Sequence, residues 1–573
     1  MTISGNTLES ELFSDLKFAY DWEEGCSSCL ANMQITTCSL NGNQIVAGQC
    51  MPINDEAYEV LNEVAYTYDE ATSTYTIYSA RGLKWVADVV NATTPYTATL
   101  FDNATVELAN NIDLKNEEWI PIGDDRSQRT EFHGTFDGKG YTVKNVKITK
   151  KTDRDDENKS SYGLFGNLKG TVKNLTVENV SISGAPKFIG ALVGRMNDGL
   201  IENCHVKNSS VECNNWTIGG LVGQLNNGKI SKCSVEKTTI TGSAAVSAIV
   251  GIALKEGERT IENCSVKECT IVQNGSFGGD YDKMFGAIVG ALYSGTLTVN
   301  LNNCSVEETT TKGVASNALC GFVSEGDKLF INGYESVADG VSMKDGEYYI
   351  SNANGFVWVE AQTDSYFANK TIKLANDIDM AGVAVKPIRI WNPEDKTVFD
   401  GQNYTISNMT ISNSSTDNQA LFNGTLNIKN VNVDNANVTG RGYVGVLGGT
   451  LYGSIENCHV TNSTVYGNYW QVGGLVGQYD AGTISKSSIS NSCITGPSAV
   501  GALVGIFNEN AVKIEESSVN TCEILQNYSF GGDYDSYFAV AVGLNSVSAA
   551  QFTKNALTNN KVKGADSDLF YAE

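Results

Sequence analysis

Proline is nearly missing from this chain, at 7 of 573 residues. Set beside 57 glycines, that scarcity excludes collagen and proline-rich linkers. Histidine is scarcer still: His133, His205 and His459 are the whole set, and no HExxH occurs, which excludes a zinc protease of that type. Positive charge is in deficit. Forty Lys and Arg against 65 Asp and Glu give −25, a field that repels nucleic acid and anionic lipid. No run of 18 apolar residues is present, so no membrane-spanning segment is expected. The opening MTISGNTLESELF has neither a basic start nor an apolar stretch. Either the chain stays inside the cell or its export signal lies outside this sequence. Hydrophobic residues make up 41%, enough for a core and against wholesale disorder.

The glycines are periodic. GLFG ends at Gly166, GALVG at Gly194, GGLVG at Gly223, SAIVG at Gly251 and GAIVG at Gly290, in steps of 28, 29, 28 and 39. A second series runs through Gly448, Gly477, Gly505 and Gly543, in steps of 29, 28 and 38. Between the glycines another phrase recurs: IENCHV at 201–206, ISKCSV at 230–235, IENCSV at 261–266 and, later, IENCHV at 455–460. A larger duplication lies above this. CNNWTIGGLVGQ (213–224) matches GNYWQVGGLVGQ (467–478), and NGSFGGDYD (274–282) matches NYSFGGDYD (527–535). The matches keep their order. The expected organisation is a small Cys-containing segment, 1–70, followed by two copies of one unit, 71–335 and 336–573.

Within each period the runs are short, rich in Val, Ile and Thr, and alternate apolar with polar residues, as in NLTVENVSI and CSVEKTTI. That is strand patterning with one buried face. A 28-residue repeat of such strands predicts one coil of a parallel β-solenoid, whose inner face is buried only by stacking. At about 4.8 Å per coil, five or six coils make a rod of roughly 25–30 Å per copy. The glycines are expected at coil corners with positive φ. Asn203, Asn263, Asn303 and Asn457, each before a Cys, predict side-chain ladders between coils. Helical spacing occurs in ARGLKWVADVVN (80–91), where Leu83, Val86 and Val90 share a face beside Trp85 and Val89, and in its partner ANGFVWVEAQ (353–362). Each is expected to be a short N-terminal capping helix.

These phrases resemble the GLUG-motif bacterial surface proteins common in gut Bacteroidetes and often described as adhesins. The resemblance rests on GTFDGKGYTVKNVKI, GLFGNLKGTVKNLTVENV, GALVG with IENCHV, GGLVG with ISKCSV, and the Ile-Asp-Leu segment followed by WIPIG (119–123). It covers about 500 residues. It implies a right-handed parallel β-helix, secreted or cell-surface placement, and adhesion or carbohydrate contact. Some GLUG-bearing proteins are surface proteases, but no catalytic signature of that kind stands here. The second copy departs from the pattern, with KPIRI (386–390) for WIPIG and ALFNG (420–424) for GLFG.

Ten of the 14 cysteines lie in the two copies. Several are replaced across the duplication: Cys233 by Ser487, Cys264 by Ser517, Cys213 by Gly467. They are read as small residues filling a narrow interior. Cys26, Cys29, Cys38 and Cys50 form a separate cluster, open to two local disulfides, free thiols or a metal.

The clearest candidate site is SFGGDYD, at 276–282 and 529–535, in the long periods. The ten extra residues predict a protruding loop, and loops carry function. Phe277, Asp280, Tyr281 and Asp282, and likewise Phe530, Asp533, Tyr534 and Asp535, could stack on a sugar ring and bind its hydroxyls. Carboxylates at i and i+2 could also hold Ca²⁺, although the EF-hand pattern is missing and no cofactor is otherwise implied. The competing possibility is a loop folded over the solenoid side with its aromatics buried. Trp216 and Trp470 are second-rank candidates. Asp153, Asp155, Asp156 and Glu157 read as a solvated acidic insertion. The expected function is a non-enzymatic adhesin holding a glycan or a host or matrix ligand. A β-helical polysaccharide lyase or hydrolase and a purely structural spacer are the alternatives. Oligomeric state is not legible.

Overall fold

A computed structural model describes residues 65–572, apart from 94–95, 97–98, 125–129, 150–160, 186, 317, 363–364, 392–396, 509–511 and 548, together with the backbone of three strands, Ile3–Thr7, Ile35–Leu40 and Asn43–Ile45. Cys26, Cys29 and Cys50, the side chain of Cys38, and the acidic stretch 153–157 lie outside the described residues. The chain divides into two compact units, Met1–Gly333 and Tyr334–Glu573.

Short β-branched runs separated by turn residues cannot bury a face alone, and here they bury it by stacking in parallel. In unit 1 one ladder runs in register through Thr74–Ile77, Thr105–Leu108, Thr135–Asp137, Thr171–Glu178, Leu200–Lys207, Lys229–Ser231, Gly257–Glu262, Leu297–Asn302 and Lys328–Ile331. In unit 2 the corresponding ladder runs through Glu347–Ile350, Thr371–Leu374, Val398–Asp400, Asn427–Lys429, Ile455–Glu456, Val476–Ser485, Val512–Glu515 and Gln551–Thr553. The protein is therefore an all-β parallel solenoid of about 15 turns with two short α-helices among the described residues. That is more turns than the glycine phrases predict, because the first and last coils of each unit lack the phrase and keep only the strand register.

The alternation of apolar and polar residues becomes columns. Val172, Ile201, Ile230, Ile261 and Leu301 stack in register and are all but fully buried, as are Phe399, Ile428, Ile455, Ile484 and Ile514 in unit 2. Each such side chain contributes about 1.5–3 kcal/mol on burial. A column in register also means that a one-residue slip would turn every one of them outward.

The corners correct the expectation for glycine. The motif glycines do not adopt positive φ. They sit where adjacent coils come too close for a side chain: a Cβ on Gly223 would lie 2.6 Å from Gly194 O and from Ile189 N. Positive φ belongs instead to other residues, asparagine most often among the non-glycines, and, at a different corner, to Gly199, Gly228, Gly453 and Gly482. Asparagine tolerates this region because its short amide bonds locally. Asn203 (φ 52°), Asn263 (φ 54°), Asn303 (φ 51°) and Asn457 (φ 51°) all occupy it. The expected ladders are present. Asn203 Nδ2 donates to Asn174 Oδ1 at 3.0 Å, Asn303 to Asn263 at 3.3 Å, and Asn457 to Asn430 at 2.9 Å. The strand register also places Gly449, rather than Gly448, level with Gly477.

Helix α1 (Ala80–Val90) buries Leu83, Val86, Val89 and Val90, and half-buried Trp85 stacks on Tyr66 at 3.8 Å. Its Asn91 donates to Pro121 O at 2.8 Å and accepts from the N–H groups of Gly123 and Asp124. Helix α2 (Ala353–Glu360) starts at Asn352, whose side chain accepts from Gly355 N at 3.1 Å, the bond expected of an N-cap. In both units an antiparallel hairpin leads into the first parallel rung, at 66–77 and 341–350.

Cys204, Cys213, Cys233, Cys264, Cys269, Cys458 and Cys522 are buried, as their interchange with small residues predicts. Cys304, Cys320 and Cys493 are only half-buried, which corrects that reading for the less regular positions. Cys458 shares its column with Ser487 and Ser517: its N–H donates to Ser487 Oγ at 3.2 Å, and Ser487 N to Ser517 Oγ at 3.2 Å.

Candidate functional site

Both SFGGDYD segments leave the solenoid as loops that end in a short 3₁₀ turn, Gly279–Lys283 and Gly532–Ser536. The paired glycines make the departure. Gly278 (φ 78°) and Gly279 (φ 59°), and Gly531 (φ 81°) and Gly532 (φ 61°), lie in the left-handed region that L side chains avoid.

Each loop is tied from within by its second aspartate. Asp282 accepts from Ser276 Oγ at 2.6 Å and from Gln273 Nε2 at 2.9 Å, while Ser276 Oγ accepts from Gly278 N at 3.2 Å. Asp535 accepts from Ser529 Oγ, from Gln526 Nε2 at 2.8 Å and from Phe530 N at 3.1 Å. These donors favour the ionised form, and the serine hydroxyl foremost holds each carboxyl below its usual range. A lysine from the next coil clamps each loop, Lys312 Nζ on Asp282 O at 2.9 Å and Lys563 Nζ on Asp535 O. The first aspartates differ. Asp280 pairs with Lys283 Nζ at 2.9 Å, whereas Ser536 stands in place of that lysine and its hydroxyl donates to Asp533 O at 2.6 Å.

The aromatics face solvent, so the buried-loop possibility does not hold. Phe277 is 53% exposed, Tyr281 38%, Phe530 38% and Tyr534 47%. Half-buried Trp216 and Trp470 join them. Tyr281 meets Trp216 edge-on at 6.3 Å and Phe277 at 6.2 Å; Tyr534 meets Trp470 at 5.9 Å and Phe530 at 6.2 Å. All ten candidate residues therefore fall into two clusters, one per unit. Three of the four acidic candidates are occupied in holding the loop or an ion pair.

Sequence reasoning missed several partners. Tyr469 and Tyr528 pack on Phe530 at 5.5 and 5.2 Å, and Arg441 lies 5.6 Å from the Tyr469 ring. Tyr281, beside Tyr293, raises the pKa of the Tyr293 hydroxyl. Gln273 and Gln526 could have been found, since both copies carry Gln nine residues ahead of the closing aspartate. Tyr469 and Tyr528 gave no signal because their counterparts, Asn215 and Gly275, are not aromatic.

The histidines lie elsewhere. His205 Nδ1 meets Ser234 Oγ at 2.7 Å and His459 Nδ1 meets Ser488 Oγ at 2.8 Å, equivalent places on neighbouring coils. Burial lowers the pKa of both imidazoles. His459 Nε2 faces the amide oxygen of Asn457 at 3.2 Å, not the carboxylate that would orient a catalytic base. His133 lies between Asp102, 2.8 Å away, and Glu131, 3.5 Å away. Among the described residues, no group of three or more His, Cys, Asp or Glu side chains could hold a metal ion, and no helix is long and apolar enough to cross a membrane.

Set beside known proteins, the chain matches the model of the GLUG motif over residues 440–466, one coil of unit 2. None of the curated proteins matches it. Among solved structures, one from Bacteroides ovatus, described as "a putative immunoglobulin A1 protease", aligns with 48% of this chain and 81% of its own, at 18% identity and a TM-score of 0.28. A likeness at that level carries no argument about this chain's activity.

Proposed function

We propose that this protein is a non-enzymatic adhesin, secreted or held at a cell surface, that binds a glycan or a host or matrix ligand on its SFGGDYD loops without a bound metal. The observation that supports this most is the exposure of paired aromatics on both loops, each fixed from within by Ser–Asp and Gln–Asp bonds. Rigid exposed rings lose little entropy on binding and present a face suited to the C–H side of a pyranose. The closing aspartates favour binding over hydrolysis, because a glycosidase needs two carboxyls free to act on the scissile bond. The GLUG match and the solenoid fit placement outside the cell, where stacked coils project a site from a surface.

The same reading takes the two units as tandem copies of one right-handed solenoid, with α1 and α2 as their N-terminal caps. The ordered matches between the copies and the hairpin–helix entry common to both support it.

A glycan array combined with a reducing-sugar release assay tests the function. Binding without turnover is expected. Release of sugar from any bound polysaccharide would overturn the non-enzymatic reading, and absence of all binding would favour a structural spacer.

A further inference from the structure

The two loops share a sequence but not a surface. In unit 2, Phe530 is the hub of a wider cluster: Tyr528, Tyr469 and Tyr534 contact it edge-on at 5.2, 5.5 and 6.2 Å, and Trp470 lies behind Tyr469 and Tyr534. Four of these rings are 38–47% exposed. The tyrosines are held in place: the Tyr528 hydroxyl donates to Asn468 O, and Arg441, itself paired with Asp417 at 3.0 Å, lies by the Tyr469 ring. Unit 1 has Asn215 and Gly275 where unit 2 has Tyr469 and Tyr528. It keeps three exposed rings, Phe277 and Tyr281 on the loop and Tyr293 beside Tyr281.

Charge separates the loops as well. Lys283 occupies Asp280 in unit 1, whereas among the described residues no Lys or Arg forms an ion pair with the exposed Asp533 carboxylate. Asp417 neutralises the cation beside the Tyr469 ring, Arg441, and Lys563 is engaged by Asp535 O. A ligand carboxylate or sulfate would thus meet an uncompensated Asp533 on a chain of net charge −25. A sugar hydroxyl would instead donate to it, a charge-assisted bond.

We propose that unit 2 carries the principal site, and that it takes a neutral oligosaccharide long enough to cover more than one ring. Unit 1 is a smaller, weaker site of the same kind. This rests on the glycan reading above.

The test is affinity electrophoresis of the full chain in gels containing galactomannan, xyloglucan or the acidic polymer polygalacturonate. Retardation by a neutral polymer and none by polygalacturonate is expected. The Tyr469→Ala/Tyr528→Ala double variant should weaken retention at least tenfold, and Phe277→Ala/Tyr281→Ala less than threefold. Ser536→Lys, which gives Asp533 the partner that Asp280 has, should weaken retention by unit 2 while leaving Tm unchanged. If the unit 1 variant loses more than the unit 2 variant, or polygalacturonate alone retards the chain, this assignment fails while the glycan reading survives. If no polymer retards the wild type, both fall.

Discussion

Ser276 and Asp282 close the unit 1 loop upon itself, the hydroxyl donating to Asp282 Oδ2 at 2.6 Å across six residues. Ser529 and Asp535 make the same bond in unit 2. The loop's shape is therefore held by an ionised carboxylate. Its pKa lies below the ordinary 3.8, so the closure is fully present above that value and is lost as pH falls through the lowered one. Near-ultraviolet circular dichroism from the Trp216–Tyr281 and Trp470–Tyr534 contacts should stay constant from neutral pH to about 4 and then decline. The Asp282→Asn/Asp535→Asn variant should remove that acid step. A signal that declined at the same pH in the variant would show the carboxylates are not responsible.

Replacing Tyr281 and Tyr534 with Ala should weaken glycan binding and leave the melting temperature unchanged, since both rings are exposed. Unchanged affinity would remove the loops from the function.

Gly223→Ala should destabilise unit 1 by about 1–3 kcal/mol, because the added methyl meets backbone rather than a yielding side chain. Gly279→Ala has open space around its Cβ and only the positive φ to oppose it, a cost of about 1–2 kcal/mol confined to the loop. Urea unfolding of both variants distinguishes packing from conformation: only the first should shift the midpoint of the solenoid.

Asn203→Ala loses both the left-handed preference and the bond to Asn174, and should cost about 1.5–3 kcal/mol. Asn203→Gly keeps the conformation and should cost about 1 kcal/mol, the bond alone. Equal losses in denaturant melts would mean that the left-handed conformation adds nothing beyond the lost bond, and no loss in Asn203→Gly would mean that the side-chain ladder contributes nothing.

The buried thiols should resist modification. Burial pushes Cys458 up to about 12, and Cys213, Cys269 and Cys522 up to about 11, so the reactive thiolate is scarce at neutral pH. Ellman's reagent at pH 8 should label these four only after unfolding. Rapid labelling of the native protein would contradict the burial.

The solenoid was legible because its signal is periodic: the GGLVG and IENCHV phrases recur at coil spacing, and each landed in register with its neighbours. What the glycines do was not legible, since Gly223 and Gly228 look alike in sequence. One meets a neighbouring backbone with ordinary φ; the other turns a corner at φ 106°. The loop was visible as ten extra residues. Its internal bonding was not, because which of two aspartates turns inward depends on the two-glycine turn. The unit 2 tyrosines were hidden for a different reason: comparison of the copies reveals what they share, and Tyr469 and Tyr528 are where they differ.

The long period leaves the coils undisturbed on both sides. Ile240 pairs with Ile271 before the unit 1 loop and Val250 with Val289 after it, and unit 2 keeps Ile494 with Ile524 and Val504 with Val542. The loop is thus a side branch whose length and chemistry can be exchanged without refolding the coils of its unit. Such a loop can change at the rate of a surface while its scaffold stays fixed, and two of them on one chain can change independently of each other.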